Sequence, residues 1–287
     1  MPPFPSPTTT WHTDTYPAIG PRRPEASMVG RTIVVTGGGE GIGASIARSF
    51  AKAGAYSIVL IGRRSQLLEE NKTQILAISS KIKVLTLVAD ISSEDDVSRA
   101  FKTIKTTVGS PDVLVSNAAY FAGASPMLEE SMEQFVSAVD INIKGSFFVL
   151  RAFMSVASSS PTIINITSAI AHMPSAFFPG FSAYASTKIA SLRIFDYAQS
   201  ENPDLHVVHI HPGQVMTSMS KKLGREISID TVDLPADFSV WAASPEAKFL
   251  KGKVVWANWD VDELKARAEE IASSSLFTVA IEGWPFS

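Results

Sequence analysis

Three side chains in the middle of the chain have the chemistry to move a proton to or from a carbonyl oxygen. Ser168 follows the apolar run Thr162–Ile166, which predicts a hydroxyl at the end of a strand. Tyr184 and Lys188 are four residues apart in a segment with helical periodicity, so the phenol and the ammonium share one helix face. An ammonium nearby favours the phenolate and lowers the pKa of a phenol from its usual ~10. A Tyr-x-x-x-Lys pair is common on protein surfaces, and only its place after a strand end favours a site. In such a site Tyr184 would exchange the proton, Lys188 would lower the pKa of the phenol and Ser168 would hydrogen-bond the oxygen.

A glycine-rich turn follows the first predicted strand. The run Thr36–Gly43 reads TGGGEGIG and leads at once into an amphipathic segment. Gly37 permits a tight turn, Gly41 lets the backbone approach a pyrophosphate, and Gly43 allows close helix packing. Ile42 lies at the helix N-terminus, where N–H groups and partial positive charge favour phosphate. Glycine turns also serve simple chain reversal, so the position between a strand and a helix is what favours a cofactor site.

The end of the second predicted strand favours NADP(H) over NAD(H). Arg63 and Arg64 lie where a nucleotide-binding fold reads the adenosine ribose, and arginines pair with the 2′-phosphate of NADP, whereas an acid there accepts the ribose hydroxyls of NAD. Two solvated arginines are the alternative interpretation. Glu40 in the glycine turn would repel that phosphate if it turned inward, which leaves NAD open. Asp90, after the third strand, is a candidate acceptor for the adenine amino group or a cap for the next loop.

Short β-branched runs alternate with longer helical segments along most of the chain, which is typical of repeated βαβ units. Continuous apolar runs indicate strands that are covered on both faces. We therefore predict a single-domain α/β fold of the Rossmann type, a doubly wound, mainly parallel seven-stranded sheet with helices on both faces. The predicted strands are Thr32–Thr36, Ser57–Ile61, Lys83–Val88, Val113–Ser116, Thr162–Ile166, Val207–His211 and Val254–Ala257. The predicted helices are Ile42–Ala53, Gln66–Ser80, Glu94–Val108, Met132–Ser158, Ala183–Ser200 and Ala236–Ala243.

Between Thr32 and Thr217 the motifs, taken in order, resemble the short-chain dehydrogenase/reductase family. Ala119 departs from the glycine usual there, and the loop Ala169–Ser182 is longer than is usual in the family. The matching segments are Thr36–Gly43, Asn117-Ala118-Ala119, Asn142, Ser168, the Tyr184 and Lys188 pair, and Pro212–Thr217.

The resemblance implies an NADP(H)-dependent oxidoreductase that transfers a hydride between nicotinamide and a ketone or secondary alcohol. It implies that Asn142 joins Ser168, Tyr184 and Lys188 as a catalytic residue by holding a water that links Lys188 to solvent. It also implies that Thr217 fixes the carboxamide of the nicotinamide. The predicted cofactor-binding residues are Gly37, Gly41, Ile42, Gly43, Arg63, Arg64, Asp90, Asn117, Tyr184, Lys188, Pro212, Gly213, Val215 and Thr217.

Two further segments indicate a bulky apolar substrate and self-association. The loop Ala169–Ser182 carries Phe177, Phe178 and Phe181, which we expect to form one wall of an apolar pocket, with packing of a surface loop as the alternative. The stretch Met216–Leu234 is a candidate lid. The segments Met132–Ser158 and Ala183–Ser200 match the helices by which the family usually dimerises, so a homodimer or homotetramer is expected; a face buried within one chain gives the same periodicity.

Composition narrows the function classes further. A formal charge of −3 gives no basic field for a nucleic acid, and the absence of cysteine excludes disulfides, thiolate catalysis and Cys-ligated metals. No apolar run is long enough for a membrane span, and the N-terminus does not read as a secretory signal, so we expect a cytoplasmic protein. The predicted organisation is a Pro-rich arm over residues 1–29, a Rossmann-fold domain over 30–260, and a C-terminal helix and tail over 261–287. We expect the arm to lie along the body or across a subunit boundary, or else to be a dangling tag.

Two other functions remain open from the sequence. The first is a protein of this fold without redox chemistry, either a cofactor-sensing binding module or an isomerase-type catalyst. The second is a metal hydrolase built on His206, His209 and His211. Alternation along the strand puts only His209 and His211 on one face, and no third ligand is evident, so we expect no metal site.

Overall fold

A computed structural model describes residues 2–4, 6–223 and 229–281 of the 287-residue chain. Its sheet has seven parallel strands in the order β3-β2-β1-β4-β5-β6-β7, which confirms the predicted doubly wound sheet. The order reverses between β1 and β4, and ligands of such sheets bind at the carboxyl ends of the strands around that point. The strands are β1 Thr32–Thr36, β2 Ser57–Gly62, β3 Lys83–Val88, β4 Val113–Ser116, β5 Thr162–Ile166, β6 His206–His211 and β7 Lys253–Trp256.

Helices cover both faces of the sheet. Alternate residues of one strand serve separate apolar layers: Val35 packs with Phe50 and Trp241 on one face, whereas Val34 packs with Phe153 on the other. The helices are α1 Gly41–Lys52, α2 Ser65–Ile78, α3 Glu94–Val108, α4 Met132–Ala138, α5 Gly145–Met154, α6 Ser182–Glu201, α7 Asp233–Ala242, α8 Val261–Ala266 and α9 Ala268–Ser273. The start of α3 is set locally, since the Ser93 hydroxyl accepts a hydrogen bond from the Asp96 amide at 3.3 Å.

The predicted helix Met132–Ser158 is not one regular helix. It is α4 and α5 joined by a π-helical turn over Val139–Lys144, and it ends at Met154. The apolar periodicity runs through the whole segment, so the sequence could not show where the hydrogen-bond pattern widens. Wider turns of this kind are frequent at functional sites, and this one contains Asn142.

The N-terminal segment is packed along the body of its own chain. Trp11 forms an antiparallel bridge with Trp259, and the His12 amide donates to the Asn258 carbonyl at 2.9 Å. The ring of His12 stacks on Tyr16 with 3.4 Å between centroids, and Ile19 is fully buried in the core. Trp11, Tyr16 and Ile19 are therefore packed against the body of the same chain, whereas Val29 at the end of the arm is 76% exposed.

Within residues 2–4, 6–223 and 229–281 no helix is long and apolar enough to cross a bilayer. Over the same ranges no group of three His, Asp or Glu side chains is arranged to hold a metal ion.

Candidate active site

A cleft of about 240 Å³ lies at the carboxyl ends of the strands on both sides of the switch between β1 and β4. Its lining brings together the glycine turn, residues that follow β2, β3 and β4, two side chains of α6, and residues that follow β6. Of the predicted site residues, the cleft is lined by Gly37, Gly41, Ile42, Arg63, Arg64, Asp90, Asn117, Tyr184, Lys188, Pro212 and Thr217.

The glycine turn has the geometry that close approach of a ligand requires. Gly37 and Gly41 have φ of +66° and +58°, a backbone region that L side chains rarely adopt. A Cβ on Gly43 would lie 2.4 Å from both the Asn117 side chain and the Gly37 carbonyl oxygen. Gly43 therefore belongs to the packing of the turn, and Asn117 holds that turn by donating to the Thr36 carbonyl at 3.0 Å. The positive end of α1, which begins at Gly41, faces the cleft.

Charged side chains define one end of the cleft. Arg63 lies 3.8 Å from Asp90, and Arg64 forms an ion pair with Glu40 of the glycine turn. The Glu40 carboxylate also accepts a hydrogen bond from the Ser218 hydroxyl at 2.6 Å. Partial burial opposes ionisation of Glu40, but the bonds from Ser218 and Arg64 outweigh it and lower the pKa of its carboxyl. The ionised Glu40 thus competes with a 2′-phosphate for Arg64, one of the two arginines predicted to bind that phosphate.

Tyr184 and Lys188 face the cleft from α6. The Lys188 ammonium donates to the Ile166 carbonyl at the end of β5 at 2.9 Å and lies 5.8 Å from the centre of the Tyr184 ring. Burial lowers the pKa of Lys188 to about 8 and raises the pKa of the Tyr184 phenol. In the protein alone, desolvation therefore opposes the lowering of the phenol pKa that the sequence predicted from the nearby ammonium.

Ser168 lies beside the cleft and is not among the residues that line it. It is the half-buried residue that starts the short turn Ala169–Ala171 after β5, and its side chain makes no cap bond to that turn. Thr167, one residue earlier, lines the cleft but has a fully buried hydroxyl.

Asn142 is buried in the π turn and links two elements of the site. Its side-chain oxygen accepts from the Tyr120 amide at 2.7 Å, and its side-chain nitrogen donates to the Tyr120 carbonyl and to the Thr187 hydroxyl, each at 2.9 Å. Both N–H groups of the carboxamide are therefore used within the protein. The side chain therefore connects the π turn to Tyr120 and to α6, and the water-holding role that the resemblance implies for Asn142 stays a prediction.

The four residues predicted after β6 divide into two pairs. Pro212 and Thr217 line the cleft. Gly213 has φ +84°, and a Cβ there would lie 2.5 Å from the Asp230 carboxylate, while Val215 is buried and forms a bridge with Asp230. Gly213 and Val215 thus shape the segment and do not themselves reach the cleft.

The phenylalanines of the loop before α6 take different positions. Phe181 stacks on Phe121 with 5.4 Å between ring centres, and Phe121 meets the Tyr184 ring edge-on at 5.2 Å. Phe178 contacts Phe181 at 6.2 Å, whereas 61% of Phe177 is exposed. The aromatic wall therefore continues from Tyr184 through Phe121, which the sequence reasoning missed. The candidate lid Met216–Leu234 includes residues 224–228, which lie outside the described residues.

The histidines of β6 have separate partners. His209 is fully buried, 3.0 Å from the Asn165 side chain and 3.1 Å from Asp196. His211 accepts a hydrogen bond from the Ala169 amide at 3.1 Å. Sequence reasoning also missed Thr187 and Ser218; the only signal for Thr187 was its position within the Tyr-x-x-x-Lys pair.

Known proteins are similar to this chain over most of its length. A family model described as short chain dehydrogenase matches residues 31–228. A short chain dehydrogenase/reductase of Claviceps purpurea is 32% identical over 280 residues, which cover 96% of this chain and 93% of that protein. A short chain dehydrogenase of Monascus purpureus is 33% identical over 288 residues and covers 95% of this chain and 96% of its own length.

Solved structures share the fold at lower identity. A short chain dehydrogenase from Burkholderia cenocepacia in complex with NADP has a TM-score of 0.71 at 20% identity, covering 82% of this chain and 99% of its own. An alcohol dehydrogenase from Thermococcus sibiricus complexed with 5-hydroxy-NADP has a TM-score of 0.71 at 24% identity, with coverage of 79% and 95%.

Proposed function

Because the chain belongs to the short-chain dehydrogenase family of oxidoreductases, we propose that it interconverts a ketone and a secondary alcohol with NADP(H). The observation that carries the proposal is one cleft in which the Tyr184 phenol and the Lys188 ammonium share a wall and the glycine turn forms the opposite end. A phenol beside an ammonium exchanges protons with an oxygen, and a glycine turn at a helix N-terminus binds phosphate. The two ends together fit a dinucleotide and a carbonyl compound.

The residues of the cleft fit a nicotinamide dinucleotide. Gly41 presents bare backbone to the cleft at the start of α1, with the Thr217 methyl 3.5 Å from where a Cβ would lie. The N–H groups of that helix end and the Asn117-Ala118-Ala119 turn would hold the phosphates and a ribose. Such a cofactor supplies the hydride that converts a carbonyl carbon to an alcohol carbon.

The proton and the oxygen are handled by side chains of this protein. Tyr184 would donate its phenolic proton to the carbonyl oxygen in reduction and accept it back in oxidation. Lys188, held by the Ile166 carbonyl, keeps a positive charge near the phenol and stabilises its deprotonated form. Ser168 would hydrogen-bond the substrate oxygen as charge develops on it, and Asn142 would hold α6 against Tyr120 so that the set stays aligned.

Replacing Tyr184 by Phe tests the proposed acid and base. Absorbance of NADPH is followed with a panel of aromatic, polyketide-like and steroid-like ketones, and NADPH binding is measured separately. We expect turnover to fall at least ~100-fold with binding of NADPH retained, since general acid catalysis contributes about that factor. Tyr56→Phe, at an exposed site away from the cleft, is the matched control. Turnover in Tyr184→Phe equal to the parent would remove Tyr184 from the mechanism, and cofactor binding without turnover in the parent would favour the non-redox alternative.

A preference for NADPH rests on Arg63 and Arg64 at the charged end of the cleft. We propose that Arg63 pairs with the 2′-phosphate, because its side chain is 66% exposed and its ion pair with Asp90 is long, at 3.8 Å. Arg63→Ala should weaken NADPH at least ~5-fold and leave NADH unchanged, because only NADPH carries that phosphate. Arg99→Ala, an equal change of charge on α3, controls for the overall field. An unchanged ratio of NADPH to NADH affinity in Arg63→Ala would contradict the assignment.

The substrate and the oligomer are proposed from apolar side chains. Phe121 and Phe181 beside Tyr184 favour a bulky apolar carbonyl compound.

Phe147 on α5 and Tyr197 on α6 are 44% and 60% exposed, and we propose that this face forms a homodimer or homotetramer. Light scattering should show that Phe147→Glu lowers the molecular mass, whereas Val29→Glu, at an exposed site elsewhere, leaves it unchanged. An unchanged mass in Phe147→Glu would exclude that face.

A further inference from the structure

The turn that carries Ser168 is tied to the last two strands by two aromatic side chains. The Ala169 amide donates to Nδ1 of His211 at 3.1 Å, and Nε1 of Trp256 donates to Nε2 of His172 at 3.0 Å. His172 in turn closes the turn by donating its amide to the Ala169 carbonyl at 3.1 Å. These contacts fix the segment that immediately follows Ser168.

His211 is buried beside the turn that follows Ser168 and takes no part in the proposed proton transfer. It ends β6, is 8% exposed, and meets the Trp256 ring edge-on with 4.6 Å between centres. Burial, together with the positive charge that His172 can carry, lowers the pKa of His211 to about 3. Its ring is therefore neutral at physiological pH, and the bond from the Ala169 amide requires the tautomer that carries its proton on Nε2 and its lone pair on Nδ1.

The backbone on the other side of Ser168 is held by the same strand. The Thr167 amide donates to the Ile210 carbonyl at 2.9 Å, one residue before His211. Ser168 thus lies between two peptide groups that are both anchored to β6. Rotation of the peptide after Ser168 would break the His211 bond and turn the Ser168 side chain, whose hydroxyl is not used by its own turn.

We propose that His211 is a positioning residue whose imidazole holds the Ala169 amide and thereby directs the Ser168 hydroxyl toward the substrate oxygen. The inference rests on the function proposed above. A catalytic hydroxyl must be held to a fraction of an ångström, because a displacement of ~1 Å lowers the rate by about 10²-fold. A hydrogen-bond acceptor fixed on a central strand meets that requirement.

Two variants of the same shape separate the hydrogen bond from packing. Asn and Leu branch alike, but only Asn presents an oxygen where Nδ1 of histidine lies. We expect His211→Leu to lower kcat ~10- to 100-fold with NADPH affinity within about 2-fold of the parent, and His211→Asn to restore kcat to within ~5-fold. His209→Leu, a change at another buried histidine of the same strand that does not contact the Ser168 turn, should lower stability without this selective loss of kcat.

Amide hydrogen exchange of the segment after Ser168 measures the Ala169–His211 hydrogen bond independently of enzyme activity. The Ala169 amide should be protected in the parent and in His211→Asn and should exchange faster in His211→Leu. Where His211→Leu does not fold, Trp256→Phe, which removes the donor to His172, should still speed exchange across Ala169–His172.

Three results would overturn the inference: equal kcat in the Leu and Asn variants, the same kcat loss in His209→Leu, or unchanged Ala169 protection in His211→Leu. If the parent reduces no ketone while the exchange pattern holds, the proposed oxidoreductase function fails and the anchoring of the Ser168 turn by His211 stands.

Discussion

The buried carboxamide of Asn142 allows a quantitative prediction. Asn142→Ala removes three hydrogen bonds of 2.7 to 2.9 Å that join the π turn to Tyr120 and to Thr187. Asn142 is 2% exposed, so water does not replace those bonds readily. Each buried polar group that loses its partner costs ~1–3 kcal/mol, and we expect a loss of about 3 kcal/mol in the free energy of unfolding. For a chain of this size that corresponds to a fall in Tm of ~6–12 °C.

Urea unfolding and thermal scans measure the loss, and turnover measured well below the new Tm tests the second consequence. Because Thr187 directly precedes Lys188, α6 should shift and kcat should fall more than NADPH affinity. Ser146→Ala is the matched control, since it leaves the Asn142 carboxamide intact; it removes the 2.7 Å bond to the Asn142 carbonyl and the 3.1 Å bond from the Ser191 hydroxyl and should cost ~1–2 kcal/mol. A loss below ~1 kcal/mol in Asn142→Ala, or a loss no larger than in Ser146→Ala, would refute the positioning role.

Three further outcomes follow from single distances and charges. Gly43→Ala should abolish binding of NADPH measured by calorimetry, because its Cβ would lie 2.4 Å from the Asn117 side chain. Glu40→Gln should tighten NADPH ~2- to 5-fold and leave NADH unchanged in the same assay, because it frees Arg64 from an exposed pair worth ~0.2–1 kcal/mol. Burial lowers the pKa of Lys188 to about 8, so between pH 8 and ~10 Lys188 holds a proton in the unfolded chain but not in the folded protein. The free energy of unfolding, measured by urea titration, should therefore rise by about 2 kcal/mol over that range. Lys188→Met should lack this rise.

The fold was predictable because its strands are short apolar runs bounded by turn residues. All seven predicted strands are present, with bounds that differ by at most one residue at either end. The π turn was not predictable, because a widened hydrogen-bond pattern leaves the apolar periodicity of Met132–Ser158 intact. The course of the arm depends on contacts more than 200 residues apart, such as the bond from the Thr9 amide to Glu263, and those leave no local pattern.

The candidate site was predictable where a residue type and a strand end coincide. Gly37, Gly41 and Gly43 indicate a turn, and the spacing of Tyr184 and Lys188 indicates a shared helix face. Partners brought in by the tertiary fold were missed, as with Phe121 against Tyr184. After β6 the sequence motif does not distinguish Pro212 and Thr217, which line the cleft, from Gly213 and Val215, which do not, so binding of the cofactor by the latter two stays a prediction.

The direction of the two burial effects bears on how the proposed reaction runs. Desolvation raises the pKa of the Tyr184 phenol and lowers that of Lys188, so both shifts favour the uncharged form of the side chain. At neutral pH the phenol therefore holds its proton, which is the state that reduction of a ketone requires, whereas oxidation of an alcohol requires the phenolate. Any positive charge brought into the cleft by an oxidised nicotinamide would favour that phenolate and oppose the burial effect. We therefore expect the rate of ketone reduction to persist through neutral pH and the rate of alcohol oxidation to rise toward alkaline pH, with the two profiles measured in the same buffers on the parent protein.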